Sequence, residues 1–313
     1  RLHRHRCRRR ARDERQKLSA SSRGATAIGA VAILLWSTLA LGTTLSRGIP
    51  TFEALAITFA VGAATVTLGF LLTAGPSRIV AGFRAWPASA WALSIGGIFL
   101  YHALYFLAFR LAPAGPVTIV NYLWPLLIVL FAGLLPGGTT RLGWPQLAGS
   151  LVGFAATVLL IGGGGDMAAG GAALAGYGAA LACAFVWSLY SVLNNRIAAP
   201  GSEPMILVCA AVGLLGLAGH VLAGETFVWP DRPTMLALAL LGAGPVGLAF
   251  VAWDHATKRG NIGLLGVLSY ATPPLSMILL VAAGQAPASW RLAIATALVV
   301  AGAALAALPA RRR

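Results

Sequence analysis

Runs of about twenty apolar residues recur along this chain, and that recurrence constrains its fold more than any other feature. A helix of roughly 20 apolar residues crosses a hydrocarbon core of about 30 Å. Only 10% of the residues are charged and 58% are hydrophobic. Soluble domains carry about 25% charged residues, so this chain has too few to solvate a surface. The mean hydropathy of +0.81 agrees. The sequence predicts an all-α polytopic membrane protein with ten spans. The first five fall at about 25–46, 52–73, 88–109, 114–135 and 144–162. The other five fall at about 172–194, 204–223, 233–253, 261–282 and 289–308.

The two sets of five look like copies. A shift of 148 residues superposes Gly115 on Gly263, Tyr122 on Tyr270, Pro125 on Pro273 and Leu127 on Leu275. Trp36-Ser37 answers Trp187-Ser188, and Trp144 answers Trp290, at slightly different offsets. A unit with an odd number of spans inserts its second copy upside down, a recurrent transporter design with its polar residues near the midplane. The expected organisation is a basic tail over residues 1–24, one five-helix repeat over 25–165 and an inverted one over 166–310, around a central cavity. Gly162-Gly163-Gly164-Gly165-Asp166 reads as the linker between them.

Basic residues set the orientation. Residues 1–23 hold ten Lys and Arg, and the chain closes on Arg311-Arg312-Arg313. With both ends inside, the inner loops carry Arg78, Arg84, Arg141, Arg196, Lys258 and Arg259. The outer loops carry Arg47, Arg110, Arg232 and Arg291, with Glu53, Asp166, Glu225 and Asp231. The positive-inside rule therefore predicts two cytoplasmic termini. The net charge of +15 sits largely in these flanks, which argues for anionic lipid as its neighbour and against nucleic acid. The first apolar run is too long, and lacks the small-residue site, for a cleaved signal. Cys7, Cys183 and Cys209 cannot form a disulfide framework; the last two read as small buried hydrophobes.

Chemistry concentrates between Tyr101 and Phe131. Tyr101 and Tyr105 are four residues apart on one helical face, with His102 about 100° round. Tyr rings can contact an apolar ligand while their hydroxyls bond a polar group, so these three are candidate substrate-binding residues. Asn121-Tyr122-Leu123-Trp124-Pro125 follows in the fourth span. Pro125 lacks an N–H, so the Asn121 carbonyl loses its helical donor. Freed carbonyls at membrane depth are tolerated where they meet a cavity, water or another helix. Ser269-Tyr270-Ala271-Thr272-Pro273 repeats the device. Asn121, Tyr122, Trp124 and Tyr270 are thus further candidates to bind substrate, and Pro125 and Pro273 candidates for gating or helix kinks. Trp187 joins them from the middle of the sixth span, as an indole too deep for an interfacial belt. Trp86, Trp144, Trp229 and Trp290 lie near span ends and are expected to anchor the interface. Gly149 and Gly153 form a GxxxG close-packing motif.

No Asp or Glu falls clearly in mid-span; Glu53 and Asp254 are near ends. The chain has no HExxH, GxSxG or Walker loop, which counts against a membrane hydrolase or ATP-driven pump. No cofactor and no metal are expected. Ten spans, inverted five-span repeats, the early Trp-Ser pair and late prolines in spans four and nine resemble the drug/metabolite transporter superfamily, EamA type. Tyr101-His102-x-x-Tyr105 with Tyr122-x-Trp124-Pro125 resembles its bacterial aromatic amino-acid exporters. The resemblance covers the chain after its basic tail, which is not part of the family pattern. It implies ATP-independent export of aromatic and other neutral amino acids across the inner membrane, from a basket-shaped cavity lined by Tyr101, His102, Tyr105, Tyr122, Trp124 and Trp187. Partners are then the amino-acid substrate and the bilayer; the sequence leaves the oligomeric state open, with a monomer as one option. A broad metabolite or drug exporter, with or without proton coupling, remains the alternative within the superfamily. A membrane enzyme or scaffold is the alternative outside it.

Overall fold

A computed structural model describes residues 21–46, 48–135, 143–161, 170–197, 199–285, 287–306 and 308. The tail up to Ala20, Arg47, Arg141, the 162–166 linker and the closing arginines lie outside the described residues. The first half contains α1 (Ser21–Leu45), α2 (Thr51–Thr73), α3 (Pro76–Ala85), α4 (Ala88–Leu111), α5 (Ala114–Asn121), α6 (Trp124–Leu134) and α7 (Trp144–Ile161). The second contains α8 (Gly171–Asn194), α9 (Met205–Leu222), α10 (Arg232–Arg259), α11 (Ile262–Leu268), α12 (Thr272–Ala282) and α13 (Trp290–Ala306). No strand occurs among the described residues.

Among the described residues, eight units are long and apolar enough to cross a membrane: α1, α2, α4, α5 with α6, α8, α9, α10, and α11 with α12. The apolar helices α7 and α13 are shorter. The chain is therefore a multi-pass helical membrane protein of about ten spans. One helix departs from expectation. α3 opens on Pro76, which fits the first turn because its missing N–H has no helical partner there. Its Ile79 packs on Val66 and Ile206, while Arg78 and Arg84 stay exposed. Ten residues span only about 15 Å, so α3 is too short to cross.

Close packing follows small residues. α2 runs against α9 and against the Gly242–Leu248 segment of α10, and α7 runs against α13. A Cβ on Gly302 would lie 2.7 Å from the Gly149 carbonyl, so α7 and α13 touch backbone to backbone. Gly149 of the expected GxxxG motif thus serves helix packing. Gly153 makes room for a ring instead, since its Cβ would lie 2.5 Å from Cδ2 of Tyr270.

Several spans are interrupted where the sequence places proline. The fourth breaks at Tyr122-Leu123 and resumes with Trp124 and Pro125 as the first two residues of α6. The ninth breaks through a 3₁₀ turn, Ser269–Ala271, and resumes with Thr272 and Pro273. An interruption in α10 goes beyond the sequence reading. Around Pro245, residues Gly242–Leu248 widen into a π-helical turn, the adjustment expected when a proline removes a helical bond.

Polar ties lie at both ends of the bundle. At one, Glu225 accepts from the backbone N–H groups of Phe52, at 3.1 and 3.2 Å, and Glu53, at 3.3 Å. That places a carboxylate at the N-terminus of α2, where the helix dipole favours it. His220 Nδ1 donates to the same carboxylate at 2.9 Å. Nearby, Asp231 caps α10 by accepting from Thr234 N–H at 2.9 Å, and hydrogen bonding from the Thr234 side chain, then from this N–H, holds its carboxyl below the usual range. At the other end, Asp254 is fully buried and paired with Lys258 at 2.9 Å. Its oxygens also accept from Asn194 at 3.0 Å and Ser202 at 2.6 Å.

Trp86 corrects the belt assignment. It is buried, donates to the Pro200 carbonyl at 3.2 Å and carries the Lys258 ammonium 4.2 Å from its ring centroid. Trp144, Trp229 and Trp290 are exposed, as belt residues are. Cys183 and Cys209 are buried free thiols; Cys7 lies outside the described residues.

Candidate functional site

The interrupted spans converge on one group of rings. Trp36 of α1 stands 5.5 Å from Trp187 of α8, 5.0 Å from Trp253 of α10 and 6.5 Å from Trp124 of α6, centroid to centroid. Trp187 and Trp253 stack at 6.2 Å with a 23° tilt. Phe250 closes the group at 6.1 Å from Trp36 and 5.9 Å from Trp187. All four indoles are buried. The edge-on and offset contacts are those favoured by aromatic quadrupoles.

A half-buried rim continues from this floor. Tyr101 of α4 lies 5.1 Å from Trp187, and Tyr105 stacks one helical turn further at 6.0 Å. His102 meets Phe59 edge-on at 5.1 Å and Tyr101 at 5.3 Å. Its Nδ1 donates to the Ile98 carbonyl at 2.7 Å, which leaves Nε2 as the acceptor of the neutral ring. Asn121 donates from Nδ2 to the Tyr101 hydroxyl at 3.3 Å, and its buried Oδ1 has no hydrogen-bond partner. Tyr122 occupies the break itself and is half-buried.

The breaks explain how these rings are held. Ser188, the residue after Trp187, donates to the Trp124 carbonyl at 2.9 Å. Ser276 of α12 donates to the Ser37 carbonyl, the residue after Trp36, at 2.8 Å. Trp36 donates its indole N–H to the Pro245 carbonyl in the π-helical turn at 3.0 Å. Gly266 of α11 lies against the Pro125 carbonyl, where a Cβ would come within 2.9 Å. Serine, tryptophan and glycine thus fix the interrupted backbones against one another.

Of the residues expected at the site, Tyr101, His102, Tyr105, Asn121, Tyr122, Trp124 and Trp187 meet here, and Pro125 stands directly behind them. Tyr270 does not. It is fully buried in a separate cluster with Ala156, Ala295 and Val299, held by the space at Gly153. Pro273 breaks its span near that cluster. The sequence reading missed Trp253, Phe250 and Phe59. It ended the eighth span at Trp253 because Asp254, His255, Lys258 and Arg259 look like a loop. α10 instead continues through them, with Asp254 and Lys258 neutralising each other one turn apart. An acid four residues before a lysine was the available signal. Among the described residues no cluster of His, Cys, Asp or Glu could hold a metal.

The chemistry on offer is that of an apolar aromatic surface, its rings mostly edge-on to one another, with hydroxyl, amide and imidazole groups at one edge. Such a surface can hold an aromatic or aliphatic side chain and hydrogen-bond a small polar head.

No family model matches the chain, but curated relatives do. A protein of Ancylobacter novellus named aromatic amino acid exporter YddG is 48% identical over 294 residues, 93% of this chain and all of the relative. The YddG of Escherichia coli is 29% identical, across 92% of this chain and 98% of that one. A probable terminal-alkyne amino-acid exporter of Streptantibioticus cattleyicolor is 26% identical, over about half of each chain (53% and 54%). A solved crystal structure superposes with a TM-score of 0.85 at 47% identity, covering 93% of this chain and 98% of that one. With near-half identity along its whole spanning region, the chain belongs to the YddG family of exporters in the drug/metabolite transporter superfamily.

Proposed function

We propose that this protein is a carrier, not an enzyme, and that it exports aromatic and other neutral amino acids by facilitated, ATP-independent alternating access. The observation that carries this reading is the buried indole floor of Trp36, Trp124, Trp187 and Trp253 beside the hydroxyl and amide edge of Tyr101, Tyr105 and Asn121. A zwitterion with an apolar side chain suits it; a phosphorylated solute would call for Arg or Lys at the site. The relatives named as amino-acid exporters support the substrate class. The protein resides in the bacterial inner membrane with both termini in the cytoplasm, a placement supported by the basic flanks.

Tyr101, His102, Tyr105, Asn121, Tyr122, Trp124 and Trp187 contact the substrate in this account, and Pro125 and Pro273 are the hinges of the gates. Two five-helix repeats, 25–165 and 166–310, move against one another; packing of second span on seventh and fifth on tenth supports that pairing. Counterflow in proteoliposomes tests the substrate class. Phenylalanine, tryptophan and threonine on the far side should accelerate entry of labelled phenylalanine, and a nucleotide sugar should not. Exchange with the nucleotide sugar, or with structurally unrelated drugs alone, would assign a different carrier specificity.

A further inference from the structure

A second site lies at the end of the bundle where α1 starts and α10 ends. A cavity of about 560 Å³ opens there between the two helices. Its long walls are one face of α10, through Leu248, Val251 and Ala252, and one face of α1, through Ile28, Val31 and Leu35. Arg78, Glu203 and Arg259 stand at its mouth. Leu248 and Arg259 are separated by eleven residues of helix, about 16 Å of rise. That is about half of a 30 Å hydrocarbon core, the depth of one leaflet. The groove is apolar towards the membrane interior and charged at its outer end.

Exposure discriminates between occupants. Ile28, Val31 and Leu248, in apolar spans long enough to cross a membrane, are 40%, 49% and 48% exposed, as expected of a groove that opens sideways to lipid. A site for a small aqueous solute would have no use for a wall open to lipid. The mouth is net positive. Glu203 is buried and satisfied by Arg78 at 3.0 Å, while the Arg78 side chain remains 71% exposed. Arg259 gives one N–H to His255 at 2.9 Å and is otherwise exposed. Two guanidiniums against one carboxylate leave an uncompensated positive charge, with planar donors suited to phosphate.

We infer that this groove binds an anionic glycerophospholipid, its phosphate between Arg78 and Arg259 and an acyl chain along the α1–α10 seam. Basic pockets between spans on a cytoplasmic face are the expected seat of such headgroups. The groove lies outside the aromatic cluster, against which its wall residues Leu35, Val251 and Ala252 pack, and its occupancy does not depend on what the protein carries.

The test uses the full chain, delipidated in detergent and titrated with phosphatidylglycerol or with phosphatidylcholine of the same acyl chains, read by native mass spectrometry. Phosphatidylglycerol should be retained about fivefold more strongly than phosphatidylcholine, the effect of one cation near the headgroup. Arg259→Gln should abolish that preference and Arg259→Lys should keep most of it. Arg84→Gln, outside the groove, should leave it intact, and Leu248→Trp should weaken retention with every charge in place. Equal retention of the two lipids overturns the inference. An equal loss in Arg84→Gln would assign the effect to general surface charge and overturn it too. Displacement of phosphatidylglycerol by equimolar inorganic phosphate would show an anion site without a lipid, which also contradicts it. Melting temperatures without lipid check that each variant is folded.

Discussion

Trp124 and Tyr101 touch the same aromatic group but should fail differently when changed. Trp124 supplies a ring to the floor, and its backbone carbonyl accepts from Ser188. Trp124→Ala should therefore weaken aromatic substrates more than small ones. An aromatic pair contributes roughly 0.5–1.5 kcal/mol beyond burial, a change of about two- to thirteenfold in affinity. Tyr101→Phe keeps the ring and loses the hydroxyl that Asn121 bonds, so it should lower phenylalanine and threonine transport alike. Flux normalised to folded protein separates these cases, and an unchanged phenylalanine-to-threonine ratio removes Trp124 from the site. The Asp254–Lys258 pair is a second test at this scale, with both partners buried. Lys258→Met strands a carboxylate and should cost about 3–5 kcal/mol of stability. Adding Asp254→Asn should restore much of it, as thermal unfolding in detergent would show. Additive losses would contradict a coupled pair.

At the level of elements, the breaks in spans four and nine were legible because proline states its own consequence: a missing N–H and a displaced carbonyl. Trp187 was legible as unusual for its depth, and Trp36 as its counterpart in the repeat. The π-helical turn at Pro245 was not, since a proline after a glycine in an apolar run fits an ordinary kink as well. Trp253 was hidden by the charges that follow it; in the folded chain Asp254 is satisfied by Lys258, Asn194 and Ser202, and the helix runs on through that turn. Tyr270 was misleading for the opposite reason. Its register matches Tyr122, but Gly153 opens a slot on the far side of its span, and the ring packs there. Which face a residue takes after a helix break depends on the neighbour, not on the local string. The α7–α13 crossing offers the matching prediction. Gly302→Val would force side-chain atoms into the Gly149 carbonyl, and overpacking of this kind costs about 1–3 kcal/mol. Folded yield should drop, and recovery by Gly302→Ala should be partial at best. Parent-like yield for the valine variant would mean that the two helices separate easily.

For the molecule as a whole, orientation and energetics follow from where charge is and is not. The basic flanks predict that a cysteine placed before Ser19, or after Arg313, resists impermeant thiol reagents in intact cells. Labelling of either from outside would overturn the arrangement with both ends in. The buried carboxylate of Asp254 is committed to Lys258, Asn194 and Ser202, a tie between helices and not an open proton relay. The sequence contains no Walker-type nucleotide-binding motif. Facilitated movement of amino acids is tested by entry of labelled phenylalanine into proteoliposomes under a solute gradient alone, at equal pH on both sides and without ATP. The account predicts saturable entry well above protein-free vesicles, reduced by Trp124→Ala. Entry that occurs only under an imposed proton gradient, or none above the vesicle background, would contradict it.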